Sequence, residues 1–288
     1  MLMHGARVEP AWCLDAWRVQ ARAALLAGVP PERVSWGDGN HDDLFAAQEP
    51  RRVVGGGRMP TVPAAFLKLA GNVLAHRDPR RHALLYRLLW RITHGERGLL
   101  SDPLDADVAR AYILKKTIRR DVHKMHAFVR FRAVPGRADH FVAWFEPEHQ
   151  ILDLAVRLFV RRFAGMRWAI LTPYRSAVWD GESLTMGAGG VREDAPAEDA
   201  QETLWQAYYA NIFNPARLNP RMMRQEMPQK YWKLLPETRH LPQLLRGAGA
   251  RVQAMAERDA QAPAKPRMVE RALASTAAVA PPPPRKFD

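Results

Sequence analysis

Apolar residues recur at helical spacing over residues 11–27, where Trp12, Leu14, Ala16, Trp17, Ala21, Ala24 and Leu25 mostly share one side. Gly28 and Pro30-Pro31 close that predicted helix. A short strand is expected at Arg33–Trp36, ended by the turn-forming Gly37-Asp38-Gly39-Asn40. Residues 49–61, with Gly55-Gly56-Gly57 between Pro50 and Pro60, read as a loop. Helices follow at 62–76 and 80–94, separated by Arg77-Asp78-Pro79. The most regular helix runs over 104–127. At about 100° per residue, Ala111, Leu114, Ile118, Val122 and Met125 form its apolar stripe, and Lys116, Arg119, Arg120, His123 and Lys124 lie opposite.

The period then changes. Phe128–Val134 and His140–Phe145 predict a hairpin around Pro135-Gly136, and residues 149–164 return to helix. Trp168–Thr172, Ser176–Trp179 and Ser183–Met186 predict three further strands, turned at Thr172-Pro173 and Asp180-Gly181. The order β-β-α-β-β-β predicts an α+β fold: a small antiparallel sheet with several packed helices before and after it. A helix over 198–213 carries an aromatic stripe of Trp205, Tyr208, Tyr209, Ile212 and Phe213, which reads as core. Prolines 215, 220, 228 and 236 cut the continuation into short helical pieces. Residues 1–246 are therefore expected to form one globular domain, divisible into a helical part at 62–127 and a sheet part at 128–213. Residues 247–288, alanine-rich and ending near Pro281–Pro284, read as a disordered tail or linker.

Composition narrows the setting. With 47% hydrophobic and 25% charged residues among 288, wholesale disorder is excluded. No run approaches the roughly 18 consecutive apolar residues of a membrane span. The opening MLMHGARVEP lacks the layout of a secretory signal, and Cys13 stands alone, so a cytoplasmic protein without internal disulfide or cysteine-held cluster is expected. The net charge of +13 is uneven: residues 76–137 carry 15 basic and 6 acidic side chains, residues 138–200 carry 6 and 10, and residues 201–288 carry 14 and 7. Two basic blocks around an acidic one suggest a polyanion-binding footprint. Arginine outnumbers lysine 35 to 8, a bias of coding origin that explains the residue type but not the clustering.

Candidate chemistry follows from that charge. Lys116, Arg119, Arg120 and Lys124 line one side of the 104–127 helix and could track phosphates; a plain solvated face is the alternative. Arg217, Arg221, Arg224, Lys230 and Lys233, interleaved with Tyr231 and Trp232, combine cations with rings as single-strand or flipped-base binding would. The alternative there is that Tyr231 and Trp232 are buried anchors. Glu148 and His149 are candidates for an acid–base pair, against a role for Glu148 at a helix start. Arg175 and Ser176 could hold a phosphate, although the nearby Asp180-Gly181 also reads as a turn. His123 and His126 lack further ligands, so neither a metal nor a cofactor is expected.

Several segments are distinctive together. FVRFRAVPGRADHFVAWF runs into Glu146-Pro147-Glu148-His149, and Arg161-Arg162-Phe163-Ala164, Met166-Arg167-Trp168 and Ile170-Leu171-Thr172-Pro173 follow. Then come Ser176-Ala177-Val178-Trp179-Asp180-Gly181, Ile212–Pro220 and Met227–Lys233. Over residues 9–250 the chain resembles a bacterial family of DNA-repair or DNA-metabolism proteins, domain of unknown function 4130. The resemblance implies a setting in DNA repair, beside a radical-SAM partner or a UdgX-type uracil-DNA-binding protein to which the domain is elsewhere fused. It supplies no catalytic residues. The expected function is thus binding of single-stranded or damaged DNA in company with such a partner. Alternatives are an enzyme acting on a damaged or modified base, or an adaptor for the repair partner.

Overall fold

The computed structural model describes residues 3–37, 61–137, 139–196 and 226–235, together with single positions at 222, 238, 242, 246, 247, 250 and 253. The chain opens with a strand absent from the sequence-based expectation. Strand β1 (His4–Arg7) pairs in parallel with β2 (Val34–Gly37), and helix α1 (Leu14–Leu26) makes the crossover that parallel pairing demands. Gly28, at φ 63°, ends α1: its N–H donates to the Leu25 carbonyl, and the Val29 N–H to that of Ala24. That double closure needs a left-handed residue, which glycine supplies without strain.

Helices α2 (Ala64–Leu74) and α3 (Arg81–Thr93) pack beside α1. α2 buries Phe66, Leu69, Ala70, Val73 and Leu74, and α3 buries Leu84, Leu85, Tyr86, Leu88, Leu89 and Ile92. Helix α4 (Ala106–Phe128) follows, about 34 Å long at 1.5 Å per residue. Asp105 caps it, its carboxylate accepting from the backbone N–H of Asp107 and Val108 at 3.0 Å each. Apolar side chains gather in two clusters, and α4 serves both. Val108, Ala111 and Leu114 belong to the cluster of the N-terminal helices, whereas Ile118 and Met125 belong to that of the sheet.

The sheet contains β3 (Arg132–Ala133), β4 (His140–Trp144), β5 (Arg167–Leu171), β6 (Arg175–Trp179) and β7 (Leu184–Ala188), side by side in that order. Helix α5 (Leu152–Arg162) joins β4 to β5 and lays Ala155, Val156 and Phe159 in one cluster with Ala143, Trp168, Ile170 and Ala177. The mixture of helix and strand agrees with expectation, but the antiparallel sheet is corrected. β4 and β5 run parallel, with Phe141 opposite Trp168 and Ala143 opposite Ile170, while the other pairs are antiparallel. A single helix between two neighbouring strands returns the chain to the end where the first began, so the second must run the same way. The expected strand at Phe128–Val134 is corrected too. Helical bonding continues through Val129, whose N–H donates to the Met125 carbonyl, and only Arg132 and Ala133 pair with β4.

The expected helix at 198–213, the glycine loop at 55–57 and the tail beyond residue 253 lie outside the described residues. Among the described residues no helix is long and apolar enough to cross a membrane.

Candidate nucleic-acid interface

Burying Ala111, Leu114, Ile118 and Met125 obliges the opposite side of α4 to face outward. Lys116, Arg119, Arg120 and His123 are exposed there, and Lys124 is half-buried. The sequence-derived candidates Lys116, Arg119, Arg120 and Lys124 line one open groove of about 1330 Å³, together with Tyr112, Lys115, Asn72 of α2, Leu154 of α5 and Glu226. The Lys115 ammonium sits 5.3 Å from the centroid of the Tyr112 ring. Among the described residues none of Lys116, Arg119, Arg120 and Lys124 forms a direct ion pair, although Lys124 lies near enough to Glu148 to help hold that carboxyl below its ordinary range.

Other cations of the same basic block are paired with carboxylates of the chain itself. Arg87 meets Asp107 at 2.7 Å, and Arg91 meets Glu96 at 2.7 Å and Asp105 at 2.8 Å. Arg110 meets Asp78 at 2.6 Å. Four of the six acids of the block, Asp78, Glu96, Asp105 and Asp107, are thus paired with arginines ahead of residue 111, which leaves the stretch from Lys115 onward cationic on its outer side. Net charge along the chain gave no sign of that segregation.

The carboxylate in that stretch points inward. Asp121 is 4% exposed; one oxygen accepts from the His149 backbone N–H at 2.9 Å and the other from the Tyr231 hydroxyl at 3.3 Å. Burial pushes the Asp121 carboxyl above its ordinary range, opposed by those two hydrogen bonds and by the Lys230 charge. Asp121 lies on the apolar stripe of α4, and a carboxylate on such a stripe was the available signal for a buried polar partner.

The described part of the second basic segment meets α4 at this point. Residues Gln229–Leu234 form a 3-10 helix in which Tyr231 is buried, stacked on Phe145 at 5.2 Å and packed against Phe128 at 5.4 Å. Tyr231 is therefore an anchor, not a ring open to a base. Lys230 is neutralised by Glu148 at 3.0 Å, which removes it from the free cations. Trp232 is half-buried, and its indole N–H donates to the Met227 carbonyl at 3.0 Å. Arg217, Arg221 and Arg224, and the side chain of Lys233, lie outside the described residues.

Glu148 and His149 are each engaged by other groups. The hydrogen bond from Lys230 holds Glu148 below the usual carboxylate range. Burial lowers the His149 pKa, and its ring stacks on His76 at 4.0 Å. Burial and then the His149 charge press His76 down to about 4. His149 Nδ1 accepts from the Arg77 backbone N–H at 3.4 Å, and His76 Nδ1 from that of Asp78 at 2.9 Å. Two neutral rings with accepting Nδ1 atoms carry their protons on Nε2. Such rings offer no free lone pair to a metal, and among the described residues no group of three or more His, Cys, Asp or Glu side chains could hold one.

Arg175 opens β6 and pairs with Asp153 of α5 at 3.3 Å. Ser176 lies opposite Gly187 on β7. Asp180 forms the expected turn, accepting from the N–H groups of Glu182 and Ser183 at 2.8 Å each. These contacts are internal, and the structure does not bring Arg175 or Ser176 into the α4 groove. His126 binds the Ala155 carbonyl at 3.0 Å. Sequence reasoning missed Tyr112 and Lys115, although Tyr112 stands one turn before Lys116 on the same face.

A protein-family model described as a domain of unknown function, DUF4130, matches residues 79–237, which takes in α3, all of α4, the sheet and the Tyr231 anchor. No curated protein and no solved structure matches the chain.

Proposed function

The match covers more than half of the chain, which belongs to the DUF4130 family, and from that premise we propose that the protein binds nucleic acid along α4. The carrying observation is the row of Lys116, Arg119, Arg120 and Lys124: four cations on one groove, none in a direct ion pair among the described residues, with the Glu148 charge reaching Lys124 alone. Cations at i, i+3, i+4 and i+8 follow a helix face for about two turns and suit a phosphate backbone, which repeats its charge regularly and needs no base-specific contact. The setting proposed is DNA repair or metabolism in a reducing cytoplasm. The partners proposed are DNA, single-stranded or damaged, and a radical-SAM or UdgX-type protein; these rest on the sequence resemblance.

Binding to single-stranded and duplex DNA over a salt series tests the reading. Four phosphate contacts predict a slope of log affinity on log salt of roughly −3 to −4, and K116A/R119A/R120A should flatten it to about −1. Absent or salt-independent binding to both forms would overturn it. A base-modifying enzyme with Glu148 or His149 as its acid–base group finds less support, because Glu148 is tied to Lys230 and the His149 Nε2 is buried.

A further inference from the structure

Tyr112 stands on the same outward face as Lys116 and Arg119, four residues before Lys116, so the two side chains are neighbours on the helix surface. It lines the cationic groove, and it remains 45% exposed although it is a large ring. Tyr86, Tyr174 and Tyr231, by contrast, are each tied down by a hydroxyl hydrogen bond to Val29, Leu152 or Asp121. Among the described residues the Tyr112 hydroxyl has no such bond, and the Lys115 ammonium stands 5.3 Å from the ring centroid. A half-exposed ring, flanked by Lys115 and followed on its side of the helix by Lys116, Arg119 and Arg120, is the pairing of flat surface and backbone-tracking charge that a single strand uses. The bases of a duplex are stacked on one another and present no free face to such a ring.

We propose that Tyr112 is a base-stacking residue that makes the α4 groove select single-stranded over duplex nucleic acid. The ring takes one unpaired base while Lys116, Arg119 and Arg120 hold the phosphates beside it. The assignment rests on the nucleic-acid reading above and adds a form preference that charge alone does not supply, since cations bind the phosphates of either form.

Three probes of equal length separate the contributions: an oligothymidylate, an abasic strand with the same phosphates, and a duplex. The wild type should hold the oligothymidylate roughly 5- to 150-fold more tightly than the abasic strand, the range a stacked base provides. Tyr112→Ala and Tyr112→Leu should erase that difference while leaving the duplex affinity and the salt slope unchanged. Tyr112→Phe, which keeps the ring, should preserve it. Equal weakening of both strands by Tyr112→Ala, or a wild type that does not distinguish them while still binding in a salt-dependent way, would overturn the role of Tyr112 and leave the groove reading intact. Failure of the wild type to bind any probe would overturn both. Tyr112→Leu retains apolar bulk, and matched thermal melts of the variants separate loss of stacking from loss of folding.

Discussion

The Asp121 carboxylate of α4 accepts the hydroxyl of Tyr231, 110 residues further along the chain, at 3.3 Å. The same carboxylate accepts the His149 backbone N–H, so one side chain ties the strand-to-helix junction before α5 and the Gln229–Leu234 helix to the inner side of the cationic helix. Lys230, carried beside Tyr231, thereby reaches Glu148.

Removing that hub should be costly. Asp121→Ala leaves a buried N–H and a buried hydroxyl without an acceptor, at about 1–3 kcal/mol for each orphaned group. A thermal or denaturant melt should show a clear loss. Asp121→Asn retains one oxygen and loses the charge that burial penalises, so its loss should be the smaller of the two. Equal melts for Asp121→Ala and wild type would mean that the junction is held by other contacts.

Acid should weaken the fold before the carboxylates titrate. His76 titrates near 4 in the folded chain against an ordinary 6.5, and His149 is shifted the same way, so the unfolded chain binds protons first. His76 contributes stability that is fully present above about 6.5 and is lost as pH falls towards 4, and His149 acts in the same direction. Asp121 acts in the opposite sense: its raised pKa makes the folded chain take up a proton first, which lessens its penalty as pH falls. Melts at successive pH values should show stability falling between 6.5 and 4.5, with a shallower fall in His76→Phe. An unchanged pH profile in that variant would remove His76 from the account.

Glu148→Gln should change binding more than folding. The Glu148–Lys230 pair is largely solvent-exposed, and pairs of that kind contribute about 0–1 kcal/mol, so the melt should hardly move. The substitution removes a carboxylate whose charge both Lys230 and Lys124 feel, and DNA affinity should rise modestly with a salt slope steeper by up to about 1. A fall in affinity would place the carboxylate itself in contact with the ligand.

Gly189 admits no side chain. A Cβ there would lie 2.3 Å from the Pro173 carbonyl oxygen and 2.7 Å from its carbon, both backbone atoms that cannot swing aside. Gly189→Ala should destabilise by about 1–3 kcal/mol through forced backbone movement, measurable as a lowered denaturation midpoint. A neutral result would show that the β5–β6 turn gives way easily.

Much of this molecule follows from local pattern. The periods of apolar residues placed α1 to α5 and strands β4 to β7 close to their observed ranges, because amphipathic spacing and the turn residues that interrupt it act over a few neighbours. The outward row of Lys116, Arg119, Arg120 and Lys124 was legible for the same reason: burying Leu114, Ile118 and Met125 turns those positions to the other side. The two-residue β3 and the parallel β1–β2 pair were not, since each depends on a partner strand elsewhere in the chain.

Whether a given cation is free was decided only by the tertiary structure. Arg91 and Arg119 are the same residue type in the same basic block, yet the fold pairs the first with Glu96 and Asp105 and sets no described carboxylate within ion-pair distance of the second. Lys230 looked like part of a binding strip until folding set Glu148 against it. Periodicity along a chain specifies which way a side chain faces. Coulombic pairing depends on distance through space, and that is fixed when Asp121, His149 and Tyr231 come together from three separate stretches of the sequence.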